Sequence, residues 1–271
     1  MRAGFNPTRR SRNIGTSKQG HGQNNKLVIP TVCSDERRWA EQLGSYSLFQ
    51  RSVDGREVIF IVEETTEGCS HACSVEDIRH VLANIPLADW DGLDTIVLRQ
   101  STRKQRILHP VWGRLFYSAD LGLPGRATIR LGPAVILEAL EVDAKIEWPT
   151  SLSPHGLAEL ERLRSDGHEI IRRGRRLQIL TNPGSVRATQ LYRTLLHEIG
   201  HWVDYLEKVT RPAGDDDAKW AELNRAYFSR PQDEREAFAH SYAASTAERL
   251  TKFGVLPFDP KPPLMRAPPS A

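Results

Sequence analysis

The chain has 271 residues, 39% of them apolar and 26% charged, with a formal net charge of +3 at pH 7. This length allows a sizeable core, and no apolar run is long enough to span a bilayer. Three cysteines argue against a disulfide scaffold, and the N-terminus lacks the apolar segment of a secretory signal. We therefore expect a cytoplasmic protein, or one exported by a route without a standard signal peptide.

The two ends of the chain have compositions that do not predict a core. Residues 1–26 contain basic side chains and no acidic one, which predicts a disordered basic tail. Phe5 is the one aromatic residue of this tail, so nucleic-acid binding, which favours aromatic residues among the basic ones, is not expected. Residues 253–271 are rich in proline and predict an irregular tail. A single domain is expected over 27–252.

The first predicted elements are a short helix at 35–43 and two strands. The strands are predicted at 47–51 and 57–63, and the second contains an apolar run rich in Val and Ile. Asp54 and Gly55 separate them, and this dipeptide is typical of a tight hairpin turn. We therefore predict a β-hairpin near the start of the domain.

Helices and strands alternate over the next hundred residues. Ser74 and Asp77 predict a capping box at the start of a helix over 75–83. Ser153 predicts the N-cap of a charged helix that ends near Gly167. The apolar stretch 134–148 fits either a helix or a buried strand. Further strands are expected at 95–99, 115–118, 127–131 and 175–180.

The last third of the chain has helical periodicity after a predicted turn at 182–184. Helices are expected at about 185–209, 215–228 and 233–250. Strands followed by helices predict an α+β fold, in which a twisted mixed sheet packs on a helical subdomain.

The first of these helices contains the pentapeptide His197-Glu198-Ile199-Gly200-His201. Residues four apart lie on one face of a helix, so both imidazoles can bind one metal ion while Glu198 reaches a metal-bound water. Gly200 is expected to let another segment approach the helix closely. The apolar residues form a separate stripe, which predicts that the histidines face a cleft. This stripe comprises Leu191, Leu195, Ile199, Trp202 and Leu206.

A catalytic zinc ion needs three protein ligands and one open position. The residues after the motif do not match the metzincin extension, so the third ligand must come from another segment. The candidates are Glu234, Glu236 and His240, on the helix that begins near Asp233. Acidic residues at a helix N-terminus also stabilise the helix, and composition alone leaves the choice open.

Two segments together resemble a known family. The sequence Leu-Leu-His-Glu-Ile-Gly-His-Trp-Val-Asp at 195–204, followed by Glu-Ala-Phe-Ala-His-Ser-Tyr-Ala at 236–243, resembles the catalytic domain of anthrax lethal factor and its bacterial relatives. These proteins are gluzincins, zinc peptidases whose third ligand is a Glu on a later helix. The resemblance extends weakly upstream, over 75–86 and the strands to residue 131. It gives no counterpart for 27–70, and none for 132–182, which we interpret as an insertion.

The resemblance implies a zincin-like fold and one zinc ion, bound by His197, His201 and Glu236. In the family an aromatic-Ala pattern follows the ligand Glu, and Phe238-Ala239 after Glu236 matches it. The family also has a Tyr that stabilises the developing oxyanion shortly before the third ligand.

Tyr227 is the nearest Tyr upstream of Glu236, although its spacing is not a clean match, and Tyr242 and His240 are alternatives for the oxyanion donor. Two further residues, Asp204 and His240, are candidates to orient a ligand imidazole by a hydrogen bond without binding the metal themselves. Asp204 lies one turn after His201, and the alternative interpretation is that it is a solvated acidic residue of the helix. His240 is the second candidate. Residues 127–131 are the candidate edge strand above the cleft, where an extended peptide would bind.

Together these observations predict a zinc metalloendopeptidase in which Glu198 acts as general base on a metal-activated water. The expected partner is a protein or peptide substrate, and the sequence specifies no oligomeric state. The alternative is a catalytically inactive protein with the zincin fold that binds or regulates a partner.

Two further clusters have ordinary interpretations. Cys69, His71 and Cys73 have a spacing that is uncommon in structural zinc sites, so we expect loop or buried thiols, with metal binding as the alternative. Four arginines at 172–176 predict a solvated turn, with an acidic-substrate contact as the alternative.

Overall fold

A computed structural model describes residues 39–102, 111–122, 128–141 and 145–262. All described residues belong to one compact unit, which begins at Arg38. The predicted basic tail at 1–26, and the prolines beyond residue 262, lie outside the described residues.

Strands form most of the regular structure up to residue 180. In chain order they are β1 (Trp39–Gln42), β2 (Tyr46–Val53), β3 (Arg56–Glu63), β4 (Cys69–Ser70), β5 (Thr95–Arg99), β6 (Gly113–Gly122), β7 (Thr128–Glu138), β8 (Leu140–Glu141), β9 (Lys145–Pro149), β10 (Glu169–Arg173) and β11 (Arg176–Leu180). A six-stranded mixed sheet, in the order β1-β6-β7-β5-β3-β2, forms the centre of the unit. Strands β3, β5 and β7 run parallel, and β2 and β6 pair antiparallel with β3 and β7.

The predicted hairpin is confirmed as β2 and β3, with Val53 paired to Arg56 across the turn. Asp54 and Gly55 have φ angles of 49° and 81°. A type I′ turn needs positive φ at both central residues, and Asp and Gly tolerate that conformation best. The dipeptide therefore fixes the register of this edge of the sheet.

The helix after Ser74 is also confirmed, as α1 (Val75–Leu82). Ser74 accepts a hydrogen bond from the Asp77 amide, and the Asp77 carboxylate accepts one from the Ser74 amide. The capping box satisfies backbone donors that a helix start leaves unpaired. Ile78, Val81 and Leu82 are fully buried, so the apolar face of α1 belongs to the core.

Two local predictions need correction, and the structure decides one that the sequence left open. Residues 39–42 are strand β1 rather than part of a helix, because they pair in parallel with β6 from Ala119 to Gly122. The secondary-structure preference of a short segment is overridden by such pairing with a distant strand. Residues 182–184 begin a helix rather than a turn, since the Asn182 side chain accepts a hydrogen bond from the Ser185 amide and acts as N-cap. The ambiguous stretch 134–148 contains parts of β7 and β9 and all of β8, and no helix in its described part.

Part of the range 132–182, which was interpreted as an insertion, forms a small layer of its own. Strands β9, β11 and β10 make a three-stranded antiparallel sheet covered by helix α2 (Pro154–Ser165). Leu160, Leu163 and Ile179 form its core. Residues 132–138 do not belong to the insertion, because they lie in β7 of the main sheet. Strand β10 was not predicted, since its sequence shows no clean alternation.

The last third is helical, as predicted. The helices are α3 (Pro183–Arg187), α4 (Leu195–Tyr205), α5 (Arg211–Ala213), α6 (Asp217–Ser229) and α7 (Gln232–Lys252). Two π-helical segments, Ala188–Thr194 and Leu206–Thr210, join α3, α4 and α5 into one continuous helical run. The fold is therefore α+β, with a mixed sheet and a C-terminal helical region. Within the described ranges, no helix combines the length and the apolar character needed to cross a membrane.

The main core lies between the sheet and the helical run. The predicted apolar stripe, from Leu191 to Leu206, is buried against residues such as Phe60 and Leu98 of the sheet. The core also includes Leu256, which is 4% exposed, and the Lys261 amide donates to Asp77 at 2.9 Å. Residues 253–261 therefore pack on the domain, which extends beyond the predicted limit at residue 252.

Cys69 and Cys73 are free thiols. Burial raises the pKa of Cys73 to about 12, which disfavours the thiolate that metal binding requires. His71 contacts the Glu63 carbonyl through Nε2 at 2.8 Å. Within the described ranges, the cysteines and His71 are not part of a group of three side chains with metal-binding geometry.

Candidate metal centre

Helix α4 brings the two histidines of the motif together. His197 and His201 lie one turn apart, and their Nε2 atoms are 3.1 Å from each other. Both side chains are largely buried, yet they lie away from the apolar stripe of the same helix. The 3.6-residue period therefore produces the predicted pair with no long-range contact.

Helix α7 supplies the third group because it crosses α4 at a glycine. A Cβ atom on Gly200 would lie 3.0 Å from the Ala239 Cα atom and 3.0 Å from the Ala239 carbonyl oxygen. A Cβ atom at this distance would be tighter than most real contacts, so glycine favours the close approach of the two helices. Glu236 lies about one turn before Ala239, so the crossing brings its carboxylate to the histidines.

Of the two glutamates considered as third ligand, Glu236 is the one that converges with the histidines. Its Oε2 atom is 3.3 Å from His197 Nε2 and 3.7 Å from His201 Nε2. Glu234 is more exposed, and its carboxylate contacts Arg230 at 3.4 Å instead. We refer to α4 and α7, with these three groups, as the helical wall of the site.

The separations between the three atoms fit a tetrahedral zinc ion. Zinc binds imidazole nitrogen and carboxylate oxygen at about 2.0–2.2 Å, and two ligands at the tetrahedral angle are then about 3.3–3.6 Å apart. The observed separations are 3.1, 3.3 and 3.7 Å. This is the one group of three His, Cys, Asp or Glu side chains with metal-binding geometry in the part of the chain that the structure describes.

The charge of the site also suits a cation. Hydrogen bonds from the two imidazoles hold the pKa of Glu236 well below its usual range, so its carboxylate is ionised at neutral pH. His197 Nδ1 is buried and has no hydrogen-bond partner. Two imidazoles and one carboxylate form the donor set typical of a catalytic zinc site with an open position.

Glu198 lies beside the ligand cluster on a different face of α4. It is 7% exposed, and its carboxylate accepts a hydrogen bond from the Leu115 amide of β6. Burial raises the pKa of Glu198, and the neighbouring histidines only partly oppose this effect. A carboxylate with a raised pKa binds a proton more readily, which is the property that a general base needs.

Strand β6 forms the opposite side of the site. Strand β1 pairs with β6 only from Ala119 onward. Residues 113–118 of β6 therefore have no strand neighbour on that side within the part of the chain that the structure describes. A Cβ atom on Gly113 would lie 2.7 Å from the Ile136 carbonyl oxygen and 2.9 Å from Thr194 Cγ2. Glycine at this position therefore allows β6 to lie close to the helical run. We refer to residues 113–117 as the strand wall.

Residues 128–131 of the predicted edge strand form the first part of β7, where they pair with β6. Strand β5 pairs with β7 only from Val135 to Glu138, so it does not pair with 128–131. Ala127 lies outside the described residues. The strand beside the motif helix is β6, as the hydrogen bond between the Leu115 amide and Glu198 demonstrates.

Asp204 has a different environment from the one predicted. It is fully buried, and its two oxygens form ion pairs with Lys208 and, at 2.9 Å, with Arg230. Arg230 lies between α6 and α7, so Asp204 ties the start of α7 to the helix that carries the motif. Cations occupy both oxygens, and Asp204 acts on the position of α7 rather than on the orientation of an imidazole.

Tyr227 does not face the cleft. Its side chain is 2% exposed, and its hydroxyl lies 3.5 Å from the main-chain carbonyl of His201 and 3.2 Å from the Tyr117 hydroxyl. Burial raises the pKa of Tyr227 strongly. This placement corrects the prediction that Tyr227 donates to an oxyanion, because its hydroxyl is directed into a buried aromatic cluster. Tyr242, the alternative, donates to Asp89 at 2.8 Å.

His240 does lie at the site. Its ring centroid is 4.4 Å from that of His197, and the ring of His155 on α2 is 6.4 Å from it on another side. Burial, together with the nearby His197, lowers the pKa of His240 to about 4. The side chain is therefore neutral at physiological pH and can accept or donate a hydrogen bond there.

Two residues near the site were missed from the sequence. Tyr117 of the strand wall contacts Tyr227, and burial raises its pKa to about 12. Arg235, next to Glu236 on α7, packs its guanidinium against the rings of Tyr227 and Phe228. Tyr117 gave no usable sequence signal, whereas Arg235 could have been noted because it adjoins the candidate ligand.

Comparisons with known proteins found no match to the chain among family models, curated proteins or solved structures.

Proposed function

We propose that the chain is a zinc-dependent metallopeptidase of gluzincin type, with a zincin-like fold. One observation carries the proposal: the three donor atoms of His197, His201 and Glu236 are separated as tetrahedral zinc ligands would be. The resemblance of the two motif segments to the lethal factor family supports the same ligand set. A buried Glu198 next to that cluster distinguishes the arrangement from a purely structural metal site.

The residues of the chain divide the chemistry between them. Bound zinc would supply Lewis acidity, which lowers the pKa of water and polarises a carbonyl group. His197 and His201 would hold the ion as neutral imidazoles and Glu236 as a carboxylate. Glu198 takes a proton from the attacking water and delivers it to the leaving amine. The Leu115 amide keeps the Glu198 carboxylate oriented during both transfers.

The strand wall is suited to an extended peptide. Strand β1 does not pair with residues 113–118, so an extended peptide can bind beside β6 there as an added strand. In an antiparallel pair, the main-chain N–H and C=O groups of alternate residues point away from the partner strand. Leu115 is one of these residues in β6, because its amide contacts Glu198. A peptide bound at this edge would therefore pass next to the general base.

Substitution of Glu198 by Gln tests the proposal. The change keeps the size of the side chain but removes the base, so peptide cleavage should fall at least about 100-fold, in line with the contribution of a positioned base. Zinc should stay bound in a 1:1 ratio, measured by elemental analysis. The assay is digestion of an unbiased peptide mixture, with and without a chelator.

Two outcomes would contradict the proposal. Cleavage by Glu198→Gln at the wild-type rate would exclude the mechanism. Zinc binding by a wild-type protein that cuts no peptide would instead favour the inactive zincin-fold protein that binds or regulates a partner.

A further inference from the structure

Two arginines flank the ring of Tyr227, and only one of them has an acidic partner. The guanidinium carbon atoms of Arg230 and Arg235 lie 5.6 and 5.8 Å from the ring centroid. Arg230 forms ion pairs with Asp204 and Glu234. Arg235 has no ion pair in the described part of the chain, and its buried Nε atom has no hydrogen-bond partner.

An arginine in this state is short of an acceptor. Leaving a buried donor of a charged group unsatisfied is costly, and ring contacts replace only part of the lost interaction. The rings of Tyr227 and Phe228 hold the guanidinium of Arg235 in place, at 5.8 and 5.7 Å from their centroids. A fixed planar guanidinium with free donors matches the shape of a carboxylate, which it binds through two parallel hydrogen bonds.

The position of Arg235 brings its guanidinium near the strand wall of the site. It precedes Glu236 on α7. The ring of Tyr117 lies 5.9 and 5.1 Å from the rings of Tyr227 and Phe228, the two rings that hold the guanidinium of Arg235. The amide of Leu115, two residues before Tyr117 on the same strand, donates to Glu198. The guanidinium of Arg235 and the general base therefore lie beside neighbouring residues of the strand wall.

We infer that Arg235 binds a carboxylate of the substrate peptide at the Tyr117 end of the cleft, and that the enzyme selects peptides with an acidic group at one fixed distance from the cut bond. This inference rests on the proposed peptidase function. A peptide offers two sources of a carboxylate, an Asp or Glu side chain and the free C-terminus. Both would complete the hydrogen bonds that Arg235 lacks.

The test compares zinc-loaded wild type with Arg235→Gln, Arg235→Lys and the control Arg225→Gln. Arg225 is exposed on α6, so its loss removes the same charge from the helical region. A peptide that wild type cuts is varied to Glu and to Gln at each position in turn, and is also made with a free or an amidated C-terminus. The readout is kcat/KM, with zinc content and Tm measured for every variant.

We expect one position, or the C-terminus, at which the acidic form is cut about 10- to 100-fold better by wild type, the range of one charge-assisted hydrogen-bonded pair. Arg235→Gln should bring this ratio close to one, Arg235→Lys should keep part of it, and Arg225→Gln should keep all of it. The internal and C-terminal arms identify the source of the carboxylate.

Four outcomes would count against the inference. An acidic-to-neutral ratio below about three at every position in wild type would reject the role of Arg235. A wild-type ratio in Arg235→Gln would reject it as well, and either result leaves the peptidase proposal standing. If wild type binds zinc but cuts no peptide, the proposed function fails and this inference fails with it. If Arg235→Gln loses zinc or folds poorly, the acidic-to-neutral ratio of Arg235→Lys is used instead. A ratio equal to that of wild type would then contradict a contact in which the planar guanidinium forms two hydrogen bonds to the carboxylate.

Discussion

The helical wall and the strand wall of the site are positioned by different kinds of interaction. In the helical wall, the spacing of His197 and His201 follows from one helical turn, and a single crossing at Gly200 adds Glu236. In the strand wall, Gly113 and Leu115 are placed by pairing with β7 and by contact with the helical run. Metal binding should therefore depend mainly on local geometry, whereas catalysis should depend on long-range packing as well.

The largest expected effect comes from the third ligand of the helical wall. Glu236→Gln should weaken zinc binding by more than about 100-fold, beyond the 10- to 100-fold typical of groups that only support a ligand. The matched control is Glu234→Gln, two residues away, which should bind zinc like wild type because Glu234 contacts Arg230. Competition with a chelator of known affinity measures both. Equal loss in the two variants would show that the carboxylates act through helix stability rather than through ligation.

The next effect concerns the strand wall alone. Gly113→Ala places a Cβ atom 2.7 Å from the Ile136 carbonyl oxygen, so β6 must shift away from the helical run. We expect a loss of roughly 1–3 kcal/mol in the free energy of unfolding and a larger relative loss of peptide cleavage, with zinc affinity preserved. Denaturant unfolding, peptide digestion and zinc titration separate these quantities.

Gly44→Ala is the control for that experiment. Its Cβ atom would meet only Glu63 Oε1, at 3.7 Å, which is an ordinary contact. This variant should retain zinc affinity and peptide cleavage. If Gly113→Ala released zinc as readily as it lost activity, the two walls would not be independent.

The same contrast explains how much of the molecule could be predicted from sequence. The hairpin at Asp54-Gly55 and the capping box at Ser74 are encoded in adjacent residues, and both were predicted correctly. The α+β class and the convergence of Glu236 with the histidines also agree with the sequence-based reading. Strand β1 was mistaken for a helix, because its pairing with β6 is not visible in four residues.

Side-chain roles around the ligands were predicted less well, and for the same reason. Asp204 lies one turn after His201, which suggested contact with an imidazole, but Arg230 from the α6–α7 connection occupies its carboxylate. Tyr227 was chosen by its distance along the chain from Glu236, yet its hydroxyl is buried against Tyr117 of β6. Each of these roles depends on a partner more than twenty residues away, which spacing does not specify.

A smaller effect is expected at the crossing of the helical wall. Gly200→Ala brings a Cβ atom to 3.0 Å from main-chain atoms of Ala239, so α7 must move outward. The strain of roughly 1–3 kcal/mol is partly offset by the higher helix propensity of Ala, worth about 1 kcal/mol. Stability should therefore change little while zinc affinity falls, the reverse of Gly113→Ala. Unchanged zinc affinity would mean that the crossing distance does not position Glu236.

The smallest expected effect is a pH dependence from His240, which adjoins His197 in the helical wall. Its pKa is lowered from 6.5 to about 4 by burial and by His197, so the unfolded chain binds a proton at higher pH than the folded one. The metal-free protein should then lose stability as pH falls from about 6.5 towards 4, because acid favours the unfolded, protonated histidine. His240→Gln should flatten the Tm profile over this window and leave the region above pH 7 unaltered. If Tm of His240→Gln fell with pH as steeply as that of wild type, other groups would cause the acid sensitivity. The His240 ring would then be in contact with water rather than packed against His197.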